Sequence, residues 1–213
     1  TRDQSMGFCL FNNVAVAAEH LRRVHGLDRV AIVDWDVHHG NGTEAIFYDD
    51  PTVLYVSLHQ YPYYPGTGAA TDVGAGEGLG YNINVPFSAG VGDDGYALAF
   101  AEIVEPALRQ FDPQFILISA GFDCHHRDPL GGMRVSERGF AEMSRRLLAV
   151  AQDHCSGRLA AVLEGGYDLD AIRSSTEVVL EEICRPLPAA PEALEPNAAL
   201  DRLKAILRPY WRL

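Results

Sequence analysis

Residues 30–43 read Val30-Ala-Ile-Val33-Asp34-Trp-Asp36-Val-His38-His39-Gly-Asn-Gly-Thr43. Four apolar, β-compatible residues run straight into Asp34, Asp36, His38 and His39, and then into a glycine turn. An extended chain alternates its faces with period two, so Asp34, Asp36 and His38 point the same way at the end of a buried strand. Two carboxylates crowded there repel one another and lose hydration unless something positive sits between them. A metal ion meets that need, with the imidazole as a further ligand. Asp and His also follow strands as loop residues or helix caps, and a lone Asp-x-His is weak evidence. Here the apolar lead-in, three ligand types on one face and the His-Gly-Asn-Gly turn occur together, which favours metal binding.

The chain has 213 residues, 47% hydrophobic and 22% charged, a size and composition that suit one α/β domain spanning 1–213 with a sizeable core. Its formal net charge of −12 argues against nucleic acid as a partner, which would need a basic face. The acidic surface is compatible with a cationic substrate. None of Cys9, Cys124, Cys155 and Cys184 forms a C-x-x-C pair, so neither a zinc knuckle nor a redox motif is indicated. They read as reduced core or near-core thiols of a cytosolic protein, with the cytoplasm, or the nucleus of a eukaryote, as the expected location. No apolar run is long enough to span a bilayer and no signal peptide is visible, so no membrane partner is expected. The chain starts at Thr1 rather than Met, from which a natural N-terminus further upstream is expected.

Asn12 or Asn13 is placed to cap a helix to about Arg23, stopped by Gly26. Strands are predicted over Val30–Val33, Val53–Leu58, Tyr81–Val85 (ended by Pro86), Phe115–Ser119 and Leu159–Leu163. A Tyr-, Pro- and Gly-rich loop fills residues 59–80. Helices are predicted from Asp93 or Asp94 to about Gln110 with Pro106 as a kink or late break, from Ser136 to about His154, and from Asp168 or Asp170 to about Ile183. Residues 185–196 read as a Pro- and Ala-rich linker, and 197–208 as a terminal helix. Strands alternating with helices predict a three-layer αβα fold around a mostly parallel sheet. Ligands in that architecture bind outside the carboxyl ends of the strands. Asp36 and His38, Ser57 and His59, Asp123, and Tyr167 each follow or end a predicted strand, so all converge on one sheet edge.

Asp36, His38 and Asp123 make an O, N, O ligand set without thiolate, which leaves a coordination position open. Such a site polarises a carbonyl and lowers the pKa of a bound water. Gly165 and Gly166 permit close backbone approach and unusual φ, and can aim Tyr167 at a developing oxyanion. Tyr61, Tyr63 and Tyr64 in the long loop, and Phe8 between Gly7 and Cys9, are candidate walls of a narrow channel. His125 and His126, just beyond Asp123, read as loop residues.

Six segments together resemble the zinc-dependent histone deacetylase superfamily, in its class II-like branch that includes bacterial amidohydrolases. They are Met6-Gly-Phe-Cys-Leu-Phe-Asn-Asn13, Val33-Asp-Trp-Asp-Val-His-His-Gly-Asn-Gly-Thr43, Tyr64-Pro-Gly-Thr-Gly68, Gly78-Leu-Gly-Tyr-Asn-Ile-Asn-Val-Pro86, Ala120-Gly-Phe-Asp123 and Glu164-Gly-Gly-Tyr167. They occur in the family's order and reach to about residue 184. The resemblance implies an arginase-deacetylase fold lacking its N-terminal part. It implies Zn2+ on Asp36, His38 and Asp123, with Tyr167 stabilising the tetrahedral intermediate. It implies an acyl-lysine tunnel walled by Phe8 and Tyr64, lined by Gly7 and Gly165, with Leu130 near its floor or rim. It also implies a monovalent cation, K+ or Na+, at Asp34, Asp36, His38, Ser57 and Leu58, and another at Phe47, Asp50, Val53 and Tyr81. Asp34 matches the residue that orients one histidine of a general acid-base pair. That pair belongs to a Pro-Gly-His-His-Ala segment that the resemblance puts just upstream of Thr1.

The implied activity is removal of acetyl groups from acetyl-lysine of proteins or peptides, or from a small acetylated amine. The isolated chain is expected to be weakly active or inactive without the upstream dyad. Three alternatives remain at this point. An acetylpolyamine amidohydrolase is disfavoured by Leu130 in place of an acidic rim residue. A manganese ureohydrolase would need bridging carboxylates that Asn41 and Gly42 do not supply. A truncated, non-catalytic binding module is the third.

Overall fold

The computed structural model describes residues 1, 3–185 and 198–213. The apolar run at its centre forms β1 (Val30–Asp34), with all five residues buried. Burial on both faces is what a near-continuous apolar run produces when helices cover both sides of a parallel sheet. The other strands are β2 (Val53–Gln60), β3 (Asn82–Phe87), β4 (Phe115–Ala120) and β5 (Leu159–Leu163). All pairings are parallel, in the order β3-β2-β1-β4-β5.

Period two sorts the strand residues onto two cores. Val30, Ile32, Val53 and Tyr55 pack with Val14, Ala15 and Ala18 of α1 (Asn13–His25) and Phe47 of α2 (Asn41–Phe47). Ala31, Val33, Leu54, Val56 and Leu58 face the larger core. There they meet α3 (Asp93–Ala99), α4 (Glu105–Phe111), α5 (Glu137–Cys155), α6 (Leu169–Ile183) and α7 (Asp201–Leu207). The result is the predicted three-layer αβα arrangement.

The caps of α1 and α6 follow the sequence signals, whereas α3 is capped by Gly92 with Asp93 and Asp94 in its first turn, and Ser136 precedes α5 without a side-chain cap bond. Asn12 accepts from the Ala15 N–H at 2.9 Å, and Gly26 closes α1 in the left-handed region. Of the two candidates for α6, Asp168 is the N-cap and accepts from the Ala171 N–H. The helix predicted from Asp93 runs to Phe111, but residues Phe100–Val104 form a π-helical turn. That turn lies just ahead of Pro106, which has no N–H to give and sits in the first turn of α4.

Four readings are corrected. The seven-residue α2 replaces the expected simple turn, because its cap is Gly40, which offers no side chain as a signal. Pro86 lies inside β3 rather than ending it; β3 is an edge strand, where a missing N–H is tolerated. Cys124 and Cys155 are buried, but Cys9 and Cys184 are exposed; all four are free thiols. The terminal helix is a 3-10 turn at Ala198–Leu200 followed by α7, while the expected linker beyond Arg185, and position 197, lie outside the described residues. Among the described residues no helix is long and apolar enough to cross a membrane.

Candidate active site

The chain steps outward from β1 to β2 and β3, then returns to the other side of β1 for β4 and β5. The carboxyl ends of β1 and β4 therefore flank a topological switch point, where a crevice opens in such sheets. Asp34 ends β1, with Ser57 of β2 and Ser119 of β4 as its register neighbours. Beyond the strand the alternation persists: Trp35 and Val37 enter the large core, while Asp34, Asp36 and His38 line the crevice. Asp123 arrives from the turn after β4 and is fully buried.

Asp36, His38 and Asp123 offer ligand atoms that all lie within 4.8 Å of one another. His38 Nδ1 is 3.1 Å from both Asp36 Oδ1 and Asp123 Oδ2. Backbone donors fix the carboxylates. The Val37 N–H donates to Asp123 Oδ1 at 2.8 Å, and the His38 N–H to Asp36 Oδ1 at 2.8 Å. The Gly165 N–H reaches Asp36 Oδ2 at 2.9 Å from the turn after β5. Asp34 accepts from the Asp36 N–H at 3.1 Å and from the Tyr55 hydroxyl at 2.9 Å.

The electrostatics state the same need that the sequence did. Burial, then the neighbouring Asp36 charge, pushes Asp123 up to about 7. Burial and Asp36 also raise Asp34 well above the usual carboxylate range. For His38, burial disfavours the imidazolium, but hydrogen bonds to Asp123 and Asp36 outweigh it and push the group up to about 10. A divalent cation bound by these three groups would neutralise both carboxylates and leave the imidazole as a neutral donor. The donor set fits such an ion.

Glycines make room for the carboxylates. A Cβ on Gly121 would fall 2.3 Å from Asp36 Oδ2, and one on Gly165 would fall 2.2 Å from Asp123 Oδ2. Tyr167 follows this turn and is 40% exposed. Burial and the Asp123 and Asp36 charges raise its phenol, which stays protonated as a donor. Phe8 meets the Tyr167 ring edge-on at 6.3 Å, and the Gly7 N–H donates to the Tyr64 hydroxyl at 3.2 Å. Gly7, Phe8, Tyr64, Leu130, Gly165 and Tyr167 thus line one cleft of about 1210 Å³ together with Asp34, Asp36 and His38.

The residues proposed for monovalent cations fall in two places. Ser57 and Leu58 lie on β2 beside the end of β1, with the Ser57 hydroxyl 2.9 Å from His59 Nδ1. Phe47, Asp50 and Val53 share the turn from α2 into β2, where the Asp50 N–H donates to the Phe47 carbonyl. Tyr81 sits one strand away, its carbonyl accepting from the Tyr55 N–H. His125 and His126 lie in the loop after Asp123, as read from the sequence, with His125 fully buried against Phe140, and neither belongs to the ligand cluster.

Sequence reasoning passed over Tyr55, whose run reads as plain core and whose partner Asp34 is 21 residues away. It named Tyr63 only as a possible wall; the ring stacks on the His38 imidazole at 5.6 Å. It also passed over Asp128, which binds the backbone of Tyr167.

Comparison with known proteins bears on this geometry. The family model for the histone deacetylase domain matches residues 1–183. A probable deacetylase of Archaeoglobus fulgidus is 43% identical over 97% of this chain and 62% of its own length. Histone deacetylase 7 of Homo sapiens is 42% identical over 97% of this chain and 23% of its own length. The crystal structure of the HDA15 HD domain superposes with a TM-score of 0.88 at 43% identity, covering 98% of this chain and 58% of that one. The chain therefore spans less than two thirds of the length of each of these relatives. Its α/β architecture is that of histone deacetylase domains, the arginase-deacetylase fold. A match across residues 1–183, with this architecture behind it, makes the chain a member of the histone deacetylase domain family.

Proposed function

We propose that this chain carries the metal centre and substrate tunnel of a zinc-dependent deacetylase acting on acetyl-lysine of proteins or peptides. One observation carries the reading. The Asp36–His38–Asp123 cluster lies at the switch point, beside a cleft whose lining includes the Tyr167 phenol. Zinc on these three residues would polarise the acetyl carbonyl and lower the pKa of a water beside it.

The chain's own residues supply the rest. Asp36 and Asp123 are held as ligands by the backbone donors of Gly165 and Val37. Tyr167 donates a hydrogen bond to the oxyanion that develops as the amide is attacked. Phe8 and Tyr64 present aromatic surface to the methylene stem of the acylated lysine. Gly7 and Gly165 leave space for it, and Leu130 marks the rim. Asp34, Asp36, His38, Ser57 and Leu58 hold a monovalent cation beside the metal, and Phe47, Asp50, Val53 and Tyr81 a more distant one.

Proton transfer is the step these residues do not complete. His39 is engaged by Thr67 and Glu44, and His59 by Ser57 and the Gly68 carbonyl. Neither imidazole is free to act on a water, and His38 is a ligand. General acid-base groups contribute on the order of 10²–10⁴-fold in rate. The 213 residues alone are therefore proposed to hydrolyse acetyl-lysine weakly.

Substrate class is tested by comparing kcat/KM of the intact protein for an acetyl-lysine peptide and an acetylated polyamine. Leu130 offers a free polycation no charge, so the peptide is expected to be preferred. Preference for the polyamine would replace this reading with the amidohydrolase alternative.

A further inference from the structure

Tyr167 follows Gly165 and Gly166, and Gly166 has φ of 139°. Two glycines leave the backbone before the phenol without side-chain restraint. What fixes it is a carboxylate from another turn. Asp128 is only 6% exposed, and its Oδ2 accepts from the Tyr167 N–H at 2.6 Å and the Asp168 N–H at 3.3 Å. Charge-assisted bonds of this kind are about twice as strong as neutral ones. The other oxygen, Oδ1, accepts from the Leu130 N–H at 2.9 Å. The Leu130 carbonyl in turn accepts from the Tyr63 hydroxyl at 2.8 Å, and the Tyr63 ring stacks on His38. One buried carboxylate thus joins the phenol, the rim and the aromatic over the metal ligand. Arg127 adds an outer tie, its guanidinium 3.3 Å from Asp168 Oδ2.

We propose that Asp128 is a positioning residue for the reaction: by holding the Tyr167 backbone and the Leu130 turn on one carboxylate, it sets the phenol against the acyl carbonyl. This rests on Tyr167 as the oxyanion donor. Asp128 touches no substrate and no ligand atom of the metal cluster. Its replacement should therefore act through Tyr167 and not through the metal.

The test is a double-mutant cycle in the intact protein, with kcat, KM and zinc content measured for each form. Asp128→Asn keeps the shape but turns an amide N–H₂ towards a backbone donor, so at least one bond is lost. A misplacement of about 1 Å costs on the order of 10²-fold, so kcat should fall by roughly ten- to a hundredfold with zinc content unchanged. In the Tyr167→Phe background the same substitution should cost no more than about twofold, because the hydroxyl it positions is already gone. A merely structural residue would give equal losses in both backgrounds, and that result, or unchanged kcat in the single variant, overturns the proposal. If Tyr167→Phe itself leaves kcat unchanged, the reading of Tyr167 fails first and the proposal with it. Should Asp128→Asn not fold, Asp128→Glu, which keeps the charge one methylene out of place, goes through the same cycle with the same two outcomes.

Discussion

The backbone N–H of Gly165 donates to Asp36 Oδ2 at 2.9 Å, tying the turn after β5 to the carboxylate that follows β1. A side chain at residue 165 cannot coexist with that contact. Its Cβ would lie 2.2 Å from Asp123 Oδ2 and 2.5 Å from Asp36 Oδ2. Gly165→Ala should displace two of the three proposed ligands and weaken zinc binding on the order of 10–100-fold, the usual effect of disturbing the groups that orient ligands. Competition for zinc against a chromophoric chelator measures this. Unaltered affinity would mean that the turn and the carboxylates move independently.

Tyr55 makes a second prediction. Its ring is buried in the core under α1, and its hydroxyl donates to Asp34 Oδ2 at 2.9 Å. Tyr55→Phe preserves the packing and strands a buried carboxylate oxygen, which costs about 1–3 kcal/mol. Chemical denaturation should show a lower midpoint with an unchanged m-value. A midpoint equal to the parent's would remove Tyr55 from the support of the site.

Glu44 carries the pH dependence. Burial works against its charge, but hydrogen bonds from His39, Asn84 and Asn82 outweigh burial and hold its carboxyl below the ordinary value of 4.5. Both asparagines donate to Glu44 Oε2 at 2.8 Å. A carboxyl depressed on folding adds stability that is present above its unfolded value and lost as pH falls through the folded one. Glu44→Gln should therefore destabilise by about 1–3 kcal/mol at pH 7, with the gap closing below about pH 4.5. Urea melts at both pH values check it; a gap that does not close would assign the loss to packing.

The sequence made the sheet legible because each strand is a short apolar run with a polar residue at its carboxyl end. Val30–Val33 into Asp34 and Phe115–Ser119 into Asp123 are local patterns, and period two placed Asp36 and His38 together. The helix at Asn41–Phe47 was not legible, since Gly40 leaves no cap to read. The supports of the site were not legible either. Tyr55 on Asp34, Gly165 on Asp36 and Asp128 on Tyr167 are separated by 21, 129 and 39 residues. Nothing in local periodicity reports such pairs. The loop position of His125 is legible in the sequence, but its burial is not, because its cover, Phe140, comes from α5.

The central proposal is that Asp36, His38 and Asp123 hold the zinc of a deacetylase that acts, in the intact protein, on acetyl-lysine. Acetate release from an acetyl-lysine peptide, followed with zinc content in the intact protein and in Asp123→Ala, tests it most directly. The parent should carry one zinc per chain, lose turnover on chelation and regain it with added Zn2+, and Asp123→Ala should lose both metal and at least about 10²-fold in rate. Full turnover by a zinc-free protein, or by Asp123→Ala, would contradict the account.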